Sequence, residues 1–190
     1  MKYNLLELQK FYLENLLNRS FVFYTSIGTI VIKFNESNFC HLLGLHHFNQ
    51  EYKGITGWKN IELKKITHSI LKNIDKKKYE TIFKKRADAL YKILEIFKKS
   101  KTIKIFKDCH DTLFQCDFLL YQHDKRTYYV ITVFVDSRTK KYCAGGSLLV
   151  YNDSNLSCAK YLAPSENDID INDYYIDFEN KAKNNFTLNN

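Results

Sequence analysis

The feature that most constrains this chain is a change in the spacing of its apolar residues. Through much of the first hundred positions they recur three and four apart, and in the second half they fall into short β-branched and aromatic runs. The first pattern is that of helices with one buried stripe, the second that of strands. Leu5, Leu8, Tyr12 and Leu16 predict a helix over residues 3–18. Phe21–Tyr24 and Thr29–Phe34, separated by Ile27-Gly28, predict a hairpin. Asn35 or Ser37 is placed to cap a short helix over 38–45, with His46 and His47 just beyond Gly44. A loop with Gly54 and Gly57 then leads to two basic helices. The first has the stripe Leu63, Ile66, Ile70, Ile74, and the second, capped by Asp75, has Tyr79, Phe83, Ala87, Leu90, Leu94, Phe97. Strands are expected at 102–107, 112–121, 128–136 and 141–151, joined by polar connections at 123–126 and 137–140. Gly145-Gly146 suggests a bulge or a close backbone approach. Helices first and an antiparallel sheet second make an α+β fold. One domain over residues 1–152 is expected, followed by an acidic extension over 153–190 whose Ile169–Phe178 segment forms a final strand or an ordered tail.

Composition narrows the class. With one Pro and six Gly in 190 residues, and 45% apolar content, the chain is neither low-complexity nor disordered throughout. No apolar run approaches the roughly 18 residues of a membrane span, and the amphipathic N-terminus has no signal core, so a soluble cytoplasmic protein without membrane contact is expected. The five cysteines are an odd set without a C-x-x-C pair, which reads as reduced, mostly buried thiols.

The formal charge of +8 is unevenly spread. Sixteen Lys and Arg stand against five acids between Lys59 and Lys107, a local excess of +11, while residues 161–190 carry six acids and two lysines. The cluster is either the solvated outer face of two helices or a surface for a polyanion. On the second reading Lys64, Lys65, Lys72, Lys76, Lys77, Lys84, Lys85 and Arg86 would dock RNA or a protein–RNA complex, and the acidic tail could compete for that face.

Motifs for cofactors are missing: neither G-x-G-x-x-G nor a P-loop occurs, so no cofactor is expected. On a regular helix the five-residue step from His41 to His46 puts the rings about 140° apart, and H-E-x-x-H is absent, so no metal is expected either. Glu62-Leu63-Lys64 reads as a helix-surface ion pair. Metal-free RNA cleavage needs a base for the 2′-hydroxyl, an acid for the leaving oxygen and cationic or hydroxyl donors for the phosphorane. This chain has each of those residue types. Tyr121 and Arg138 are further candidates because they end strands that would border one cleft.

A resemblance sharpens the choice. Asn38-Phe39-Cys40-His41-Leu42-Leu43-Gly44-Leu45-His46-His47-Phe48, directly after a hairpin, resembles the N-terminal signature of the phage-associated barnase–EndoU–colicin–RelE-like nucleases, the fourth such family. Cys116-Asp117-Phe118-Leu119-Leu120-Tyr121 is similar to a strand motif of that family, and the resemblance spans residues 5–152. It implies a nuclease fold with His41 as acid or base and Ser147 supporting the phosphate. The strand 128–136 lacks the histidine that relatives often show there. That departure keeps open a non-catalytic phage-encoded inhibitor of a bacterial defence protein–nucleic-acid complex (anti-CRISPR-like); a further alternative, sharing the nuclease chemistry, is the toxin of a toxin–antitoxin pair.

Overall fold

The computed structural model describes residues 3–100, 102–105, 116–135, 142–143, 146–154, 162 and 168–178. Helix α1, Leu5–Asn15, starts where the Asn4 side chain accepts the Leu6 N–H at 3.0 Å, a standard way to satisfy a free first-turn donor. Its buried face is Leu5, Leu8, Gln9 and Tyr12. Strands β1, Arg19–Thr25, and β2, Gly28–Lys33, form the expected hairpin, with Phe21 opposite Ile32 and Phe23 opposite Ile30. Asn35 caps α2, Glu36–Leu42, through a capping box closed by the Asn38 side chain. Two 3₁₀ turns, Leu45–His47 and Gln50–Tyr52, lead into α3, Gly54–Glu62.

The loop expected around Gly54 and Gly57 is therefore helix. Gly57 is there for a packing reason: a Cβ on it would lie 2.7 Å from the Tyr52 carbonyl oxygen and 2.8 Å from Cys40 Sγ. The first basic helix also differs. Instead of one stripe from Leu63 to Ile74, the chain ends α3 at Glu62, passes Lys64 at φ 56°, and restarts as α4, His68–Ile74, capped by Thr67. Leu63 is left 64% exposed, while Ile66 is buried.

The second basic helix keeps its predicted stripe but not its regularity. Asp75 caps α5, Lys76–Lys78, by accepting the Lys78 N–H at 2.8 Å. A π-turn, Tyr79–Phe83, follows, then α6, Lys84–Tyr91, and α7, Ile93–Lys99. Tyr79, Phe83, Ala87, Leu90 and Phe97 are all buried.

The remaining strands are β3, Thr102–Ile105; β4, Phe118–Asp124; β5, Thr127–Val135; β6, Tyr142–Cys143; β7, Leu148–Asn152; and β8, Asp168–Phe178. Their order is β4-β3-β8-β1-β2-β6-β5-β7, and β4 also pairs with β5, so the order returns on itself. Among the described residues every strand pairing is antiparallel except β2 with β6, apart from an isolated parallel bridge between Leu17 and Phe34. The expected meander is present as β4–β5–β7, but His123 and Asp124 belong to β4 and not to a connection. Only Lys125 and Arg126 turn the chain, with Lys125 at φ 57°. Gly146 shows the expected close approach, since a Cβ there would sit 1.8 Å from Thr132 Oγ1. The acidic segment supplies β8, between β1 and β3.

This is an α+β fold. Its main core joins the helices to one sheet face through Tyr12, Phe21, Phe23, Phe39, Trp58 and Phe97. A small second cluster, Cys116, Leu119, Val130 and Leu162, lies apart from it. Among the described residues no helix is long and apolar enough to cross a membrane.

Candidate active site

Helix α2 buries Phe39 and Leu42, and Phe39 packs edge-on against Tyr12 and Trp58 at 5.1 and 5.3 Å. That anchoring leaves His41 half-buried on another side of the helix. The helix then stops. Gly44 adopts φ 71°, ψ 28°, the left-handed conformation that glycine enters without steric cost, and the chain turns back. His46 is thereby brought onto His41, ring on ring, at 4.4 Å and 12°, and His47 follows at 4.1 Å from His46. The helical geometry used to separate His41 from His46 does not apply, because the helix ends at Leu42. Gly44 was the readable sign of this.

Arg86 closes the site from α6. It is only 9% exposed and donates from Nη1 to the His41 carbonyl oxygen at 3.3 Å. A Cβ at position 44 would lie 2.8 Å from that same nitrogen, so the missing side chain of Gly44 makes room for the guanidinium. Lys78 Nζ donates to the His47 carbonyl oxygen at 2.9 Å, a contribution no sequence pattern pointed to. Beyond Arg86 lies a cavity of about 150 Å³ lined by Thr81, Ile82, Lys85, Arg86, Leu149, Val150 and Tyr151. Arg86 thus touches the histidine loop and also a cationic hollow at the β7 edge.

The electrostatics follow from burial and from this crowd of cations. Burial and the Arg86 charge lower the His41 pKa. His46 is lowered to about 4, by burial first and then by His41, His47, Arg86 and Lys53, and its Nδ1 is buried without a hydrogen-bond partner. His47 is lowered by burial, Arg86, His41 and Lys78. Burial lowers Arg86 only to about 10, with Tyr151 opposing, so it stays charged at neutral pH. The loop therefore presents uncharged imidazoles beside a fixed guanidinium, which suits proton acceptance.

This has a cost in acid. A histidine whose pKa is lower in the folded chain lets the unfolded chain bind more protons. Stability should hold above about 6.5 and fall as pH drops toward about 4, the folded value of His46. Denaturant titrations across that window should show a declining midpoint, and His46→Gln should flatten the decline. A midpoint insensitive to pH there would contradict the assignment.

The other sequence candidates are placed as follows. Ser147 sits against Thr132, its N–H on the Thr132 hydroxyl. Tyr121 is on the second cluster's face of β4, 6.4 Å from Tyr128. Arg138 lies outside the described residues. Lys64, Lys65, Lys72, Lys76, Lys77 and Lys85 are exposed, and Lys84 is bonded to Glu80 at 2.8 Å and lies over the Tyr3 ring. Glu62, expected to pair with Lys64, accepts instead from the Trp58 indole N–H at 2.9 Å, because the helix ends between them. Cys40 and Cys116 are buried free thiols. Among the described residues no group of three or more His, Cys, Asp or Glu is arranged to hold a metal ion.

No curated protein and no solved structure matches this chain. A family model does, over residues 4–187, described as phage-Barnase-EndoU-ColicinE5/D-RelE like nuclease 4. That match covers the histidine loop, the basic helices and every described strand, and the chain belongs to this phage-type nuclease family.

Proposed function

We propose that the chain is a metal-independent ribonuclease acting at the His41–Arg86 site. The observation that carries this is the double placement of Arg86, against the His41 carbonyl and in the wall of the Lys85–Tyr151 cavity. In the proposed step neutral His41 takes the proton of a ribose 2′-hydroxyl. The 2′-oxygen bonds to phosphorus and the bond to the 5′-oxygen breaks, giving a 2′,3′-cyclic phosphate. The departing 5′-oxygen takes a proton from the Tyr151 phenol on the cavity side. Arg86 and Lys85 offset the charge on the phosphorane, with Ser147, just before β7, and Arg138 as further phosphate contacts. The exposed lysines 64, 65, 72, 76 and 77 hold the flanking backbone.

Incubating RNA with the protein in EDTA tests this. His41→Asn should lower cleavage by about 10²–10⁴-fold, the usual worth of a positioned base. Products should end in 2′,3′-cyclic or 3′-phosphate. Cleavage that is indifferent to His41, or that leaves 5′-phosphates, rejects the mechanism.

A second reading is a non-catalytic binder of a bacterial defence protein–nucleic-acid complex. It is favoured by β5, Thr127–Val135, which carries no histidine. Stable, RNase-insensitive capture of one protein partner without RNA cleavage would establish it. A toxin would share the nuclease chemistry, and growth arrest on expression, relieved by His41→Ala, would mark it.

A further inference from the structure

We propose that the face of β4, β5 and β7 bearing His123, Tyr128 and Tyr151 is a stacking track for single-stranded RNA, leading to the Arg86 cavity. The ligand rests on the ribonuclease reading; the measurement below does not.

The strand register builds the track. His123 is paired with Tyr128, and Tyr128 with Tyr151, so three ring-bearing side chains from three strands stand in one row on one face. The His123 ring lies flat on that of Tyr128, with centroids 4.2 Å apart and 11° between planes. It is held there by Asp153, whose Oδ1 is 2.8 Å from Nε2. Held in this way, the imidazole is 42% exposed and offers a fixed platform to a further planar ring. Tyr121, 6.4 Å from Tyr128, packs with Tyr128 and Tyr151 against the second cluster, whose Leu162 covers part of this face, so the row is open chiefly at its exposed His123 end.

Charge complements the row at both ends. Lys125 and Arg126, at the β4–β5 turn, are exposed beside His123. Tyr151, at the other end, lines the cavity with Lys85 and Arg86. Among the described residues, two acids beside the row are engaged: Asp153 with His123, and Asp124 with Lys92 at 3.6 Å. Cations interleaved with stacked rings on a sheet are what a sequence-tolerant single-strand site requires, because every base has a π-face and every linkage a charge. A duplex hides its base faces, so the same surface would discriminate against it.

The test is binding by the cleavage-blocked His41→Asn chain. The probes are a fluorescein-labelled oligoadenylate and its duplex with oligouridylate. The single strand should bind more tightly than the duplex. His123→Ala and Tyr128→Ala should each weaken strand binding by roughly tenfold, within the range for one stacked base. His123→Phe, which keeps a flat ring but not the Asp153 contact, should bind within about threefold of the parent, well inside that range. Lys125→Ser and Arg126→Ser should each flatten the log K against log salt plot by about 0.7. Unchanged affinity in both alanine variants, equal affinity for duplex, or no binding of the strand overturns the track. Strand binding as expected, with no cleavage by the unmodified chain, leaves the track standing and rejects the ribonuclease.

Discussion

A chain ending at Ser165 is expected to lose its cooperative thermal transition and most of its β-sheet circular dichroism. Such a truncation removes β8, the strand between β1 and β3. Seven positions of β1, from Arg19 to Thr25, pair with β8, as do three of β3. Without it the backbone donors and acceptors on those edges lose their partners, and the ring of strands opens. The apolar loss is comparable in weight. Ile169 is 5% exposed, and Ile171, Tyr174 and Ile176 pack against the main core, with the Tyr174 ring 5.0 Å from Phe23. Ile169 is buried and the other three partly, so re-exposing them costs on the order of 5 kcal/mol, since a full burial is worth about 1.5–3 kcal/mol each. A domain's whole net stability is about 5–15 kcal/mol. A truncated chain melting cooperatively near the full-length midpoint would show that the sheet does not depend on β8.

The same strand bears on competition between acidic and basic segments. Asp170, Asp173 and Asp177 are exposed on β8. Truncation would confuse loss of their charge with loss of the fold, so their change to Asn is the cleaner way to ask whether they repel nucleic acid.

What could be read from the sequence was local. The N-terminal helix expected over 3–18, the hairpin, a cap at Asn35 or Ser37, the Asp75 cap and the stripe from Tyr79 to Phe97 depend on neighbours a few positions away, and those elements form, the helix as Leu5–Asn15 and the first cap as Asn35. What could not be read was non-local. Nothing in Ile169–Phe178 announces that it pairs with Arg19–Thr25, some 150 positions earlier. Gly57 looked like a loop residue because its reason, the nearby Tyr52 carbonyl and Cys40 sulfur, lies in the packing. His123 and Asp124 looked like a turn because polar side chains are frequent there, yet they are paired strand positions. The candidate site divides in the same way. His41 carried a motif, whereas the approach of Arg86 and the folding back of His46 depend on how α6 meets the turn at Gly44.

That turn supports the second large prediction: Gly44→Ala should destabilise the fold by about 2–5 kcal/mol and displace Arg86. Two effects add. At φ 71° any L side chain meets its own backbone, a cost of about 1–2 kcal/mol. A Cβ there would also lie 2.8 Å from Arg86 Nη1 and 3.0 Å from Ile82 Cγ2, and forcing atoms into a packed site costs about 1–3 kcal/mol. Gly54→Ala separates the two. Gly54 sits at φ 58°, in the same backbone region, but nothing lies within 4 Å of its would-be Cβ, so only the backbone cost of about 1–2 kcal/mol should appear. Denaturant midpoints of the two variants give the difference. Ring-proton titrations then connect it to the site: moving the guanidinium away from His41 should raise that ring's pKa toward its ordinary value in Gly44→Ala and leave it unmoved in Gly54→Ala. If both variants lose the same stability and neither shifts His41, Arg86 is not packed into the space that glycine leaves.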